Sequence, residues 1–144
     1  MTDQRRLGVD LFNHTWTLLD QAERTAEEDD EMLNAAHASR WHWSRASQEA
    51  KHQARGEWQL ARVYAVLGRG EPSVYHAGRC LEWCGRGDVE DWDVAFAHEA
   101  LARAHKVAGN ADAAERHRQL ARELGDAIAD PDNREHFDED WATL

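Results

Sequence analysis

Two prolines, two cysteines and no apolar run of membrane-spanning length set the first limits on this chain. So few prolines leave long segments free to be helical. Runs of Val, Ile and Thr, which favour strands, are missing as well. Ala, Leu, Glu and Arg dominate instead, and that composition predicts an all-α protein. Cys80 and Cys84 stand one turn apart on one predicted helix, a poor geometry for a disulfide and no framework for a secreted protein. The start, MTDQRRLGVD, is polar and lacks a signal-like apolar core, so a cytoplasmic protein is expected. Bases are scarce too, 17 against 28 acids, for a net charge of −11. That sign repels nucleic acid and anionic membranes, so neither is expected as a partner. There is no glycine-rich phosphate loop, no GxSxG and no metal-ribbon cysteine pair. No catalytic residue, metal site or cofactor is expected.

The 144 residues suffice for one domain of six or seven helices. A first helix is predicted from after Asp3 to about Arg24, with Leu7, Leu11, Leu18 and Ala22 on its buried side. Thr25 and Glu28 form a capping box that opens a second, carrying Met32, Ala35, Ala36, Ser39 and Trp43. A break is placed at Ser44–Gln48 on the strength of the repeat below. From Gly56 to Cys84 two helices fold back at Gly68–Pro72, with Leu60, Ala61, Tyr64 and Leu67 on one stripe and Val74, Ala77, Cys80 and Leu81 on the other. A fifth helix, capped by Asp88 or Asp91, carries Val94, Ala97, Leu101, Ala102 and Ala104 to Gly109. A sixth spans about Ala111 to Leu124 and is closed by Gly125. Seven tryptophans are expected to fill wide gaps between helices built largely of alanine.

Shifted by 41 residues the chain matches itself: Leu19, Leu60 and Leu101 align, as do Ser39, Cys80 and Ala121. Gly68 and Gly109 fall on the same turn, and Ala61 pairs with Ala102 and Ala36 with Ala77. The first unit is more diverged, with Glu27 at the turn and Asp20 where the others have alanine. The set Leu60, Ala61, Tyr64, Gly68, Ser73 and Cys80 resembles a tetratricopeptide (TPR) helix pair. The likeness to small bacterial TPR-like proteins covers roughly residues 7–125. It implies an all-α right-handed stack of three helical hairpins over residues 1–125, with an adaptor or assembly role. The period departs from the family's 34, so its superhelical curvature need not carry over.

In such a stack the first helix of each pair lines a concave groove. The resemblance therefore implies groove positions at His14, Thr17, Gln21 and Arg24, at Arg55, Trp58, Arg62 and Val66, and at Phe96, Glu99, Arg103 and Lys106 or Val107. Five bases and one acid in an acidic protein imply an acidic peptide or other anionic ligand held by arginine forks. Trp58 and Phe96 would be its apolar walls. The alternative is a small enzyme or metal-binding protein using the nine histidines. His14, His37 and His98 with Asp91 or Asp93 would have to converge from different helices. The sequence HEALARAH, with Ala102 where a second zinc histidine belongs, is not the metalloprotease motif. His76, Cys80 and Cys84 share one stripe, and three ligands on one straight helix cannot surround a tetrahedral zinc without a fourth from elsewhere.

Residues 126–144 carry seven acids and one base, leaving 21 acids and 16 bases in the body. The tail therefore holds −6 of the net charge. It is predicted to form a short helix with Phe137 and Trp141 on one stripe. Two seats are open to it: over the apolar face of the sixth helix as a cap, the favoured one, or in the basic groove opposite Arg62, Arg103 and Lys106. Trp41, His42 and Trp43 cannot all point inward, so one large ring is expected at the surface and a homodimer through the second helix or a terminal face.

Overall fold

The structure, a computed structural model, describes residues 2–144. Those residues form seven α-helices and no strand: α1 (Gln4–Leu19), α2 (Ala26–Ala46), α3 (Ala50–Val66), α4 (Gly70–Cys84), α5 (Asp91–Ala108), α6 (Ala111–Asp126) and α7 (Pro131–Trp141). Among them no helix is long and apolar enough to cross a membrane.

Local chemistry sets most of the ends. Asp3 caps α1 by accepting the Arg6 amide, and Thr25 with Glu28 forms the reciprocal capping box of α2. Helix α1 stops at Leu19 rather than near Arg24. The reason is Arg24 itself, whose guanidinium donates to the carbonyls of Leu18 and Gln21 and to Asp29, satisfying the frayed end and tying it to α2. The break after Ala46 has its own donors and acceptors: Gln53 Nε2 donates to the Ser47 carbonyl and the Glu49 amide to the Ser47 hydroxyl. Helix α5 begins after Glu90, whose amide donates to Asp93; neither Asp88 nor Asp91 is the cap. Gly68 and Gly109, equivalent in the repeat, both have positive φ, 75° and 84°, where a side chain would be strained.

Helix α1 packs on α2, α3 on α4 and α5 on α6, while α2 meets α3 and α4 meets α5 between the hairpins. Helix α3 also touches α5. Equivalent positions of the second and third hairpins share equivalent burial, whereas Leu19 and Asp20 of the first are half-buried and exposed. Leu60, 1% exposed, packs with Leu18 and Met32 of the preceding hairpin; Leu101, 6% exposed, packs with Ala61 and Ala77 of its own preceding hairpin. Ser39, Cys80 and Ala121 are all buried. Small residues at these seams let helices approach closely, and the Ser39 and Ser73 hydroxyls spend their hydrogen bonds on the Gly8 and Ala61 carbonyls. Of the three residues 41–43, Trp41 is the exposed ring, whereas Trp43 packs against His52 and Gly8.

Helix α7 lies on α5 and α6. Phe137 is fully buried in a cluster with Ala95, Phe96, Ala121 and Ile128. Gly125 is not the stop of α6 but a seat in its last turn: a Cβ there would lie 2.1 Å from the Phe137 ring. Trp141 donates its indole N–H to the Arg118 carbonyl, and the Arg118 guanidinium stacks 4.2 Å over the ring. Asp140 meanwhile reaches Arg62 on α3. The tail thus takes both seats at once, its aromatic stripe on α6 and its acidic edge on the arginines. Truncating Phe137 to Ala should cost about 3–5 kcal/mol in chemical denaturation of the full chain; a loss below about 1 kcal/mol would mean that α7 does not close the core.

Candidate functional site

One face of α1, α3 and α5 and the inner side of α7 enclose a cleft of about 540 Å³. Its walls are Phe12 and Trp16 of α1, Trp58 of α3, and Trp92 and Phe96 of α5, with Ala54 and Cys80 beneath. The rings brace one another: Trp16 and Trp58 have centroids 5.5 Å apart, and Phe96 meets Trp58 and Phe137 edge-on at 5.7 and 5.2 Å. Polar groups stand among them, namely Asp20, the Arg55–Asp93 pair, Asn133 and His136. Asp93 is buried and accepts two bonds from Arg55, Nε at 3.0 Å and Nη2 at 3.1 Å. The same guanidinium lies 4.2 Å over the Trp92 ring.

Beside the cleft runs a buried ion network. Glu99 of α5 has no exposed surface, and its Oε1 accepts from Arg62 at 3.3 Å and from Arg103 at 2.6 Å. Arg62 also donates to the Asp140 carboxylate at 3.2 Å, and Arg103 to the Asp140 carbonyl and the Thr143 hydroxyl. Arg62 stacks 5.2 Å over Trp58, joining network to cleft. Bidentate and stacked guanidiniums are fixed in position by such contacts, which a lysine would not reproduce.

Six of the groove residues expected from sequence are gathered here: Arg55, Trp58 and Phe96 in the cleft, Arg62, Glu99 and Arg103 in the network. Three are not. His14 faces α2, 3.4 Å from Glu31, and Arg24 clamps the α1–α2 turn. Lys106 is exposed along a shallower depression with Gly109, Glu115, Arg118 and Leu144. The basic character expected of the groove is also corrected, because Arg55, Arg62 and Arg103 each face a carboxylate of the chain itself. On α1 the cleft is lined by Phe12, Trp16 and Asp20, spaced by four, not by the positions that the repeat phase gave. Helix α1 ends at Leu19, whereas α3 and α5 run several residues past the equivalent leucines, so the first unit presents a different face. The spacing itself was the signal for that face.

The histidines do not converge. His14 goes to Glu31, His37 to the Tyr64 hydroxyl at 2.7 Å, and His98 to His117, whose Nδ1 atoms are 3.0 Å apart. Among the described residues no group of three or more His, Cys, Asp or Glu is arranged to hold a metal ion. His76 bonds Glu57 at 2.6 Å, and Arg40 bonds the other oxygen of Glu57. Burial pushes the Glu57 carboxyl up, but the His76 hydrogen bond and the Arg40 charge outweigh it and hold the group below its ordinary value. Cys80 and Cys84 are free thiols; the hydrogen bond to Cys84 and burial raise Cys80 well above the ordinary range, and the same bond lowers Cys84.

His98, His105 and His117 form one row of near-parallel rings between α5 and α6, with centroids 5.2 and 5.7 Å from that of His117. Burial lowers all three, and the neighbouring charges of His98, His105 and Arg116 help bring His117 from 6.5 to about 4. A histidine depressed in this way binds its proton more readily in the unfolded chain. Its contribution is complete above the unfolded value and is lost as pH falls toward the folded one. The melting temperature should therefore fall between pH 6.5 and 5, above the range where Glu57 matters, and His117→Gln should flatten the fall; an unchanged slope would contradict the assignment. Compared with known proteins, the chain matches no family model, no curated protein and no solved structure.

Proposed function

We propose that this chain is a non-catalytic interaction module, a right-handed TPR-like stack of three hairpins whose concave face receives a segment of a protein partner. Support for the stack comes from the hairpin pairing, the shared burial of residues 41 apart and the equivalent left-handed glycines at Gly68 and Gly109. The observation that carries the binding role is the open cleft walled by five aromatic rings. Its size is within the usual range for a bound group, roughly 300–1,000 Å³, and its rings are pre-braced, so little ordering cost is left for binding.

The anionic part of the reading rests on Arg62 and Arg103. The chain's own Asp140 sits on this pair, and an acidic side chain of a partner would take the same donors by displacing it. The expected partner segment therefore combines an apolar or aromatic anchor with an acid, as the tail itself does. Nothing in this account calls for a cofactor, and an adaptor or assembly role follows.

Selection of displayed peptides on the full chain tests this. Enriched sequences should pair an aromatic or apolar residue with an acid, and Trp58→Ala should weaken them by about tenfold or more, while Trp83→Ala, outside the cleft, should not. Failure to enrich any sequence, or equal binding by the Trp58 variant, would reject the module.

A further inference from the structure

Pairing off the charges around the cleft leaves one over. Asp93 neutralises Arg55, and Glu99 with Asp140 serves Arg62 and Arg103. Asp20, at the C-terminal end of α1, lines the cleft, is exposed, and enters no ion pair among the described residues. Five aromatic rings make up most of the remaining wall, beside Ala54, Cys80, Asn133 and His136, and ring faces carry negative potential that attracts cations. This cleft displays that preference twice, with Arg55 over Trp92 at 4.2 Å and Arg62 over Trp58 at 5.2 Å. The field of the whole molecule, at a net charge of −11, has the same sign. A carboxylate brought into the cleft would meet Asp20 and the ring faces, both unfavourable. An ammonium would meet both favourably.

We infer that the cleft binds an arylalkyl ammonium group, its flat ring lying among Trp16, Trp58 and Phe96 and its charge toward Asp20. The inference rests on the reading of the cleft as a binding site and adds to it the sign of the ligand that occupies the cleft proper. The acid-accepting arginines are a separate subsite beside it. The size suits such a ligand: a two-ring body fills part of about 540 Å³ and leaves room for a short side arm that carries the charge toward Asp20. A free amine and the amino-terminal aromatic residue of a peptide carry this same chemistry.

Isothermal titration of the full chain separates the cases. Tryptamine and indole-3-acetate share one ring system and differ in the sign of the charge; tryptamine should bind about tenfold more tightly. In Asp20→Asn, a surface change outside the core, that ratio should shrink to about twofold. The peptide Trp-Gly-Gly should bind as well as tryptamine if the natural source is a peptide terminus, and much more weakly if it is a free amine; each outcome accords with the ammonium assignment. Equal or tighter binding of indole-3-acetate would overturn the assignment while leaving the cleft a binding site. Absence of binding by both indoles would overturn the assignment and count against the cleft reading as well. An unchanged ratio in Asp20→Asn would remove Asp20 from it.

Discussion

A carboxylate with no exposed surface, Glu99 of α5, constrains everything on the concave side of this molecule. An ionised group so deep is tolerated only if cations meet it, and stranding such a group costs about 3–5 kcal/mol. Two guanidiniums meet it here, Arg62 from α3 and Arg103 one turn along α5. Arg62 ties the second hairpin to the third across the α3–α5 contact. Both arginines then need a further acceptor, and Asp140 with Thr143 supplies it, which sets where α7 must end. The Phe137 ring in the core and the Asp140 carboxylate in the network are thus two fastenings of one short helix, one apolar and one ionic.

The face that α1, α3 and α5 present to α7 is divided in two. At the Glu99 end the arginines are occupied by Glu99 and by the tail's Asp140. At the other end the rings of Phe12, Trp16, Trp58, Trp92 and Phe96 stand open with Asp20 among them. Trp58 belongs to both ends, because one ring carries the Arg62 guanidinium and forms a cleft wall. The face is therefore a short groove with two chemistries rather than the uniformly basic one that a count of its arginines suggests.

Much of the fold was legible because its signals are local. Thr25 and Glu28 announce a helix start within four residues, and Gly68 and Gly109 mark turns that only glycine accepts without strain. The TPR resemblance put Arg55, Trp58, Arg62, Phe96, Glu99 and Arg103 on one side of two helices; Arg55, Trp58 and Phe96 line the cleft and Arg62, Glu99 and Arg103 the ion network beside it. It failed for the first hairpin. There Arg24 ends the helix early through bonds to Leu18, Gln21 and Asp29, a local event that no repeat register conveys. Pairings between distant elements were equally hidden. Nothing in the sequence links Asp93 to Arg55 or His98 to His117, because the partners lie on different helices and only the packing brings them together.

The claim that Glu99 ties the tail to the hairpins through shared arginines is tested most directly by a double-mutant cycle. Glu99→Gln, Asp140→Asn and their combination would be compared by chemical denaturation of the full chain. Glu99 and Asp140 share Arg62, so when either carboxylate is lost the other is the one left to that guanidinium, and the second loss should cost more than the first by about 1 kcal/mol. Costs that simply add, within about 0.3 kcal/mol, would mean that the two carboxylates act independently and that no such network joins α7 to the core.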